Sequence, residues 1–219
     1  MDKGLQRRNE GGNETVDRLL STAVELFAEF GHENVSLRQL TARAGMNVAS
    51  VNYYFGSKEA LTEAVFEQLA QKANAYRREA LESAEQTVSD PGAYLHRLIR
   101  AFVDPYLGEG NEVSGRLLAR FFLRHRLHPT RGTQWITQRY YNPIARDYIS
   151  AIARACPHLE KNEIIWRYMF MVNTLIVSSA DTTSFDRLAV LSDGVLTDTT
   201  NVDRREALVR YCVSAFLAP

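Results

Sequence analysis

The stretch from Val35 to Leu61, VSLRQLTARAGMNVASVNYYFGSKEAL, constrains the fold of this chain more than any other segment. Ser36 is followed three residues later by Gln39, the spacing of a capping box that satisfies two backbone donors at the start of a helix. Gly45 supplies the positive-φ position at which a helix ends and the chain turns sharply. The stretch therefore predicts a short helix that starts at Ser36 and ends at Gly45.

A second short helix is predicted directly after this turn. Asn47 is a favourable N-cap residue, and Val48, Val51 and Phe55 fall on the side that faces inward. The outer side carries small and polar residues that leave room for another molecule to approach: Ala49, Ser50, Asn52 and Tyr53. Ser57 then caps a third helix, so the pattern is a helix-turn-helix followed by a further helix.

The charge of this stretch favours binding to a polyanion. Residues 36–58 contain three basic side chains, Arg38, Arg43 and Lys58, and no acidic one, although the formal net charge of the whole chain is zero. Local charge decides docking on a phosphate backbone. The alternative, a helical corner without further function, explains the caps and the glycine but not the acid-free polar face.

The segment SLRQLTARAGMNVASVNYYFGSKEAL resembles the DNA-binding signature of TetR-family transcriptional regulators. The positions that fall in the pattern are Gly45, Tyr53, Tyr54, Phe55, Ser57, Lys58, Glu59 and Leu61. Asn52 departs from it, because many members carry a tyrosine there. With the helix before it, the resemblance covers roughly the first quarter of the chain. It implies an all-α protein, with an N-terminal three-helix helix-turn-helix DNA-binding domain followed by a larger helical-bundle effector and dimerisation domain.

Three segments are expected on this basis. Residues 1–12, which end in a glycine pair, are expected to form a flexible arm. Residues 13–57 are expected to form the DNA-binding domain, its first helix ending before Gly31. Residues 58–219 are expected to form the effector-binding and dimerisation domain, beginning with a helix that continues without Gly or Pro to about Ser83. In TetR-like proteins this helix links the two domains.

Proline and glycine divide the remainder of the chain. Asp90-Pro91-Gly92 predicts the start of a helix that ends at Pro105, and residues 108–111 predict a loop. Further helices are predicted over residues 113–127, 133–155, 163–180 and 204–217, with a small helix between the last two.

The resemblance implies a mode of DNA binding. Two copies related by a two-fold axis place their second motif helices in major grooves about 34–36 Å apart, so the operator is expected to be palindromic. Base edges and thymine methyls are expected to meet Val48, Ala49 and Ser50, and Asn52 is expected to pair with adenine. Ser36, Tyr53 and Lys58 are expected to hold phosphates, and Arg38 to reach either a guanine or a phosphate. The expected interface is Ser36, Arg38, Asn47, Val48, Ala49, Ser50, Asn52, Tyr53, Tyr54 and Lys58.

A second informative feature is residues 113–146, which hold seven arginines and no acidic residue. Arg116, Arg120 and Arg124 are spaced i, i+4, i+8 and line one helix face. Because arginine holds carboxylates and phosphates bidentately, one interpretation is a site for an anionic amphipathic effector such as a fatty acid or an acyl thioester. A solvated stripe, or pairing with acids on other helices, is the alternative. The expected effector pocket is Phe102, Arg116, Arg120, Phe121, Arg124, Tyr141, Trp166, Phe170 and Asn173.

Residues 163–180 are apolar on nearly every side, yet Arg167 and Asn173 exclude a membrane span. A helix that is apolar all round must be buried on all sides, which favours a two-fold homodimer. By resemblance, this helix and the last one pair with their copies in a four-helix interface. The expected interface residues are Met169, Val172, Ile176, Leu208, Tyr211, Cys212 and Phe216.

Other function classes find little support. Cys156 and Cys212 fit no metal or redox spacing, and His125 and His128 lack further ligands, so no metal or cofactor is expected. Nucleophile-elbow, phosphate-loop and zinc-protease motifs are absent, so an enzyme is not expected. The polar N-terminus predicts a cytoplasmic protein without a membrane partner.

The expected partners are double-stranded operator DNA, a second copy of the chain and a small apolar or amphipathic effector that releases the DNA. The resemblance implies that the protein represses transcription, as is usual in this family. The alternative is a helical ligand-binding or scaffold protein that retains a helix-turn-helix without specific DNA binding.

Overall fold

The computed structural model of the chain describes residues 3–87, 90–180, 184–196 and 201–219. All regular secondary structure in these ranges is helical, which confirms the all-α prediction. The helices are α1 (Lys3–Phe30), α2 (Leu37–Ala44), α3 (Val48–Tyr54), α4 (Lys58–Thr87), α5 (Pro91–Leu107), α6 (Glu112–Leu127), α7 (Arg131–Ile136), α8 (Asn142–Ala155), α9 (Lys161–Ala180), α10 (Ser184–Leu191) and α11 (Asn201–Leu217). A π-helical segment, Thr137–Tyr141, joins α7 to α8.

The chain divides into two compact units, Met1–Gln68 and Leu69–Pro219. The division falls inside α4, beyond the boundary expected before Lys58. The reason is that the first turns of α4 contribute buried residues to the first unit, among them Leu61 and Phe66. The ring of Phe66 lies 6.0 Å from that of His32, centroid to centroid.

The first unit is held together by the apolar faces of its helices. Leu19, Ala23 and Phe27 of α1 are buried, as are Leu40 of α2 and Val51 of α3. Helix α1 begins at Lys3, which corrects the expected flexible arm over residues 1–12 from that residue on. A helix already nucleated by packing extends at little cost, and a glycine pair weakens it by about 1 kcal/mol per residue without breaking it.

The second unit is built around α5. This helix packs against α6, α8, α9 and α11, and its buried residues include Leu95, Leu98 and Ile99. Gly115 of α6 lies so close to α5 that an added Cβ would collide with the backbone of Tyr106. The crossing of α5 and α6 therefore depends on a position without a side chain.

Several helix ends differ from the sequence prediction. Helix α5 continues through Pro105 and ends at Leu107. A proline this close to the end of a helix removes only one backbone hydrogen bond. The backbone N–H of Gly108 still donates to the carbonyl oxygen of Asp104 at 2.7 Å. The predicted helix over residues 133–155 begins earlier, at Arg131, and is interrupted by the π-helical segment. Residues 197–200, part of the expected small helix and loop before α11, lie outside the described residues.

None of the described helices combines the length and the apolar character that crossing a membrane requires.

Candidate nucleic-acid interface and internal cavity

The capping box of α2 forms as predicted. The hydroxyl of Ser36 accepts from the backbone N–H of Gln39 at 3.2 Å, and the backbone N–H of Ser36 donates to Oε1 of Gln39 at 2.8 Å. Gly45 ends the helix at φ 67° and ψ 34°, in the left-handed region. Because the Ser36 hydroxyl also donates to Oε1 of Gln39, it is already engaged in hydrogen bonds within the motif.

Helix α3 is fixed by Asn47 at its N-terminus. Oδ1 of Asn47 accepts from the backbone N–H of Ser50 at 2.9 Å and from the Ser50 hydroxyl at 3.2 Å. Val51 is fully buried and anchors the inner side of the helix. The cap and this anchor set which residues α3 presents outward.

The outward surface of α3 is exposed and carries mixed polar and aromatic groups. Ala49 and Asn52 are exposed, and the side chain of Tyr53 is 83% exposed. Its ring meets that of Tyr54 edge to face, with centroids 5.0 Å apart. Val48 and Ser50 are half-buried beside them. An exposed aromatic of this size on a polar surface suits contact with a partner rather than a role in the core.

Basic groups lie on the same unit. The side chains of Arg38 and Arg43 are exposed. Nζ of Lys58 donates to the backbone carbonyl oxygen of Glu33 at 3.2 Å. An ammonium group has three donors, so this bond orients Lys58 and leaves it able to contact a phosphate.

The second unit contains a cavity of about 280 Å³. Helices α4, α5, α6, α8 and α9 and the π-helical segment all contribute to its lining. Its apolar wall includes Phe102, Phe122, Ile144, Met169, Val172 and Leu175. The volume is nearly twice that of the cavity of about 150 Å³ that accepts benzene in an apolar protein core.

Arg77 is one of two arginines that line this cavity, together with Arg126. Its side chain is 1% exposed, and Nη2 donates to the carbonyl oxygen of Phe102 at 2.9 Å. Nη1 lies 3.4 Å from Oδ1 of Asn74. Nε has no hydrogen-bond partner, and no carboxylate of the described residues forms an ion pair with this guanidinium.

Two further lining residues carry buried polar atoms without a partner in the described part of the chain, Nδ1 of His125 and the hydroxyl of Tyr141. Burial raises the pKa of Tyr141 well above its usual value, so this hydroxyl keeps its proton and can donate. Burial, and secondarily Arg126, lowers the pKa of His125, so its imidazole is neutral at pH 7. Its Nε2 lies 3.3 Å from Oγ1 of Thr137. Arg77, Tyr141 and His125, which all line the cavity, therefore each carry a buried polar atom without a partner.

The expected effector pocket is only partly at this cavity. Phe102 and Tyr141 line it, whereas the other expected residues do not: Arg116, Arg120, Phe121, Arg124, Trp166, Phe170 and Asn173. Arg120 instead places Nε 3.5 Å from the carbonyl oxygen of Ala180, at the end of α9. The arginine stripe follows a face of α6 that differs from the one lining the cavity, where His125 and Arg126 lie.

The expected dimer residues also divide into groups. Met169, Val172 and Ile176 line the cavity. The prediction of an interface position is wrong for three residues of α11. This helix packs against α5 and α9 and thereby buries Leu208, Cys212 and Phe216 within their own chain. Tyr211 remains 63% exposed.

An exposed apolar face on α9 and α11 was only partly anticipated. Trp166 and Phe170, expected in the effector pocket, are 61% and 60% exposed and stack with centroids 6.0 Å apart. Val177, about two turns further along α9, is also exposed. Arg167 joins the two helices, since its guanidinium donates to the carbonyl oxygens of Ala215, Ala218 and Pro219 at the end of α11.

Sequence reasoning missed Arg77. A usable signal was present, because Arg77 falls in the buried stripe of α4 with Ala70, Ala73 and Leu81, where a charged residue is unusual. Among the described residues, no group of three or more His, Cys, Asp or Glu side chains has the arrangement of a metal site.

Comparison with known proteins agrees with this architecture. Residues 19–65 match the family model for bacterial regulatory proteins of the tetR family, and residues 100–215 match the model for the tetracyclin repressor-like C-terminal domain. The second match alone spans more than half of the chain.

Among individual relatives, the transcriptional dual regulator CecR of Shigella flexneri is 29% identical over 139 residues. That alignment covers 61% of this chain and 60% of CecR, so the chain spans less than two thirds of this relative. The transcriptional regulator RutR of Escherichia coli is 41% identical over 67 residues, 31% of this chain and 32% of RutR.

A solved structure of a transcriptional regulator from Rhodococcus sp. Rha1 shares the fold. Its TM-score is 0.65 at 16% identity, with 92% of this chain and 95% of that chain covered. Motif, helical architecture and family matches coincide, and the chain belongs to the TetR family of bacterial regulatory proteins.

Proposed function

We propose that this chain is a dimeric, ligand-responsive transcriptional regulator that binds a palindromic operator through α2 and α3. The observation that carries the proposal is the outward surface of α3, where exposed Ala49, Asn52 and Tyr53 stand within an acid-free stretch, residues 36–58. Small residues admit base edges, an amide can pair with adenine, and the exposed tyrosine and arginines suit phosphates.

The contact roles follow from what each side chain is already doing. Ser50 must exchange its bond to Asn47 for any bond to a base, whereas Asn52 and Tyr53 are exposed. Ser36 contributes to phosphate binding through the N-terminus of α2, since its hydroxyl is held by Gln39. Lys58 and Arg38 supply positive charge.

Dimerisation is proposed through the exposed face of α9 and α11. Trp166, Phe170, Val177 and Tyr211 form an apolar surface on two helices that Arg167 joins. Exposed apolar surface of this kind marks a protein interface, and two-fold pairing of identical faces is the commonest closed arrangement. Two motif helices then face successive major grooves.

The cavity is proposed as the effector site, and α4 as the connection to DNA binding. Arg77 lies on α4, and Leu61 and Val65 near the start of the same helix are buried in the first unit. An effector that binds better when α4 is shifted favours a head spacing that no longer fits DNA. A small apolar or amphipathic effector suits the aromatic wall, and repression that ends when the effector releases the DNA is the proposed sign, as is usual in this family.

The test is fluorescence anisotropy with a labelled duplex from upstream of the coding region of this protein and an unrelated duplex, across a range of salt. Selective binding is expected to weaken in Tyr53→Phe and Lys58→Ala. Lys161→Ala, an exposed lysine at the start of α9, is the matched control and is expected to bind as the wild type does.

Equal, weak binding of the two duplexes calls for selection of the operator from genomic fragments with the same protein. Absence of binding to every fragment at low salt contradicts the regulator proposal. It favours the alternative, a helical ligand-binding or scaffold protein that retains the motif without specific DNA binding.

A further inference from the structure

The cavity of the second unit contains a charge without a counter-ion. Arg77 is 1% exposed, and none of the carboxylates in the described ranges pairs with it. A guanidinium keeps its charge in proteins, and an isolated charge is costly to bury. A buried arginine is usually paired with a carboxylate. Arg205 is an example, because its Nη1 lies 3.5 Å from Oδ1 of Asp104.

Partial compensation comes from aromatic rings. The guanidinium carbon of Arg77 lies 4.0 Å from the ring centroid of Phe102 and 5.5 Å from that of Tyr106. Together with the bond to the Phe102 carbonyl oxygen, these contacts hold the guanidinium plane in place. They leave Nε without an acceptor.

The donors without an acceptor favour a ligand that carries a hydrogen-bond acceptor. Nε of Arg77 and the hydroxyl of Tyr141 are both donors without an acceptor, and both residues line the same cavity. The remaining wall is mainly aromatic and aliphatic, and its other polar residues are His125, Arg126, Thr137 and Asn142. Arg126 is exposed, so Arg77 is the buried arginine of this lining. Tyr141 belongs to the π-helical segment, a distortion that occurs frequently at functional sites.

The segment is also tied to the helix that carries Arg77. Nδ2 of Asn74 donates to the carbonyl oxygen of Tyr140 at 2.6 Å, and Nε2 of Gln71 donates to the Tyr140 hydroxyl at 3.0 Å. One side of the cavity is therefore a bonded frame of α4 and the π-helical segment, which orients Arg77 and Tyr141.

We propose that the cavity binds an organic monocarboxylate with an apolar body of about one or two rings, and that Arg77 is the counter-ion of its carboxylate. Tyr141 donates a second hydrogen bond to the same group. The proposal rests on the effector role of the cavity and replaces the arginine stripe, Arg116, Arg120 and Arg124, as the anion-recognition element.

The test compares each carboxylate with the neutral amide of the same shape. Naphthoate and naphthamide, and octanoate and octanamide, are titrated into the DNA-free protein by isothermal calorimetry. We expect at least one carboxylate to bind about tenfold or more tightly than its amide, the loss that one charge-assisted bond represents.

Three variants test which residues recognise the carboxylate. Arg77→Met is expected to abolish the preference for the carboxylate, and Tyr141→Phe to reduce it by a smaller factor without removing a charge. Arg124→Met, which removes an arginine that does not line the cavity, is expected to keep the wild-type preference. Circular dichroism spectra verify that each variant is folded. If Arg77→Met does not fold, Tyr141→Phe still tests the site.

The proposal is overturned where each carboxylate binds no better than its amide, where no probe binds at about 1 mM, or where folded Arg77→Met keeps the preference. Calorimetry is done without DNA, so these results are separate from the anisotropy test. If the protein prefers the carboxylate but binds no DNA, the result supports the anion site and contradicts the regulator proposal.

Discussion

The guanidinium of Arg77 covers the ring of Phe102 at 4.0 Å from its centroid and donates to the backbone carbonyl oxygen of the same residue at 2.9 Å. One residue of α5 thus provides both contacts that hold a buried cation of α4. The pair fixes the guanidinium without neutralising it, which is a poor arrangement for stability and a suitable one for receiving an anion.

The first prediction concerns the stability of Arg77→Met. The exchange removes a buried unpaired charge and keeps most of the side-chain volume. We expect the free energy of unfolding of the ligand-free protein to stay the same or rise by up to about 2 kcal/mol. Urea unfolding followed by circular dichroism measures it.

Arg205→Met is the control, because Arg205 is buried and paired with Asp104. Its removal leaves a carboxylate without its cation, so we expect a decrease of about 2 kcal/mol or more. A comparable decrease in Arg77→Met would mean that Arg77 serves the fold rather than a ligand.

The second prediction concerns the salt dependence of DNA binding. Arg38→Ala is expected to weaken binding and to make the slope of log affinity against log salt shallower by about 0.9 for each phosphate that is no longer neutralised. Tyr53→Ala is expected to weaken binding while changing the free energy of unfolding by less than about 0.5 kcal/mol, since the side chain is 83% exposed. An unchanged slope in Arg38→Ala would place this arginine away from phosphates.

The third prediction concerns the turn between α2 and α3. Gly45 has φ 67° and ψ 34°, and an added Cβ would meet nothing within 4 Å. Gly45→Ala therefore tests backbone strain alone, and we expect a decrease in the free energy of unfolding of about 1–2 kcal/mol, measured by thermal unfolding. Gly45→Asn is the matched comparison and should decrease it less, because asparagine tolerates this conformation. Equal decreases would show that the side chain rather than the backbone matters.

The fourth prediction concerns the dimer. Phe170→Arg places a charge in the exposed apolar face of α9 and α11, so we expect a folded monomer by sedimentation equilibrium where the wild type is a dimer. Leu127→Arg is the control, since Leu127 is also exposed but lies at the end of α6. Dimers of unchanged affinity in Phe170→Arg would exclude this face as the interface.

The fifth prediction concerns Cys212. Burial raises the pKa of this thiol to about 11, against 9.0 for an unperturbed cysteine. The folded state thus binds the proton more tightly, and the resulting stabilisation is complete below pH 9 and lost as the pH rises towards 11. In Cys212→Ala the fall in stability between these pH values should be shallower. The same slope in both proteins would assign the alkaline destabilisation to other groups.

Thiol reactivity gives an independent check on the same residue. Cys156 and Cys212 are both buried, and burial also raises the pKa of Cys156. Neither is expected to react with a disulfide reagent at pH 8 until the protein unfolds. Rapid reaction of Cys212 in the native protein would contradict the packing of α11.

Much of the first unit followed from sequence. The Ser36–Gln39 capping box, the Asn47 cap and the turn at Gly45 all formed where they were predicted. Each depends on hydrogen bonds or backbone angles within a few residues, so local sequence was sufficient. The π-helical segment was missed because residues 137–141 contain no Gly or Pro, the residues by which an interruption of a helix is recognised in sequence.

Sequence alone determined the all-α class, the helix-turn-helix and the acid-free character of residues 36–58, because caps, periodicity and local charge are short-range properties. It did not determine which apolar face of each late helix is covered. Leu208, Cys212 and Phe216 proved to be inside, while Trp166 and Phe170 proved to be outside.

The tertiary structure alone placed Arg77 beside Phe102 and Tyr141, the two expected pocket residues that line the cavity. These residues lie on three different elements, and only the packing of those elements decides whether a charge meets a counter-ion or an empty space. Burial and pairing are properties of contacts between distant parts of the chain. The apolar spacing of α4 therefore marks Arg77 as unusual but does not show whether it has a counter-ion.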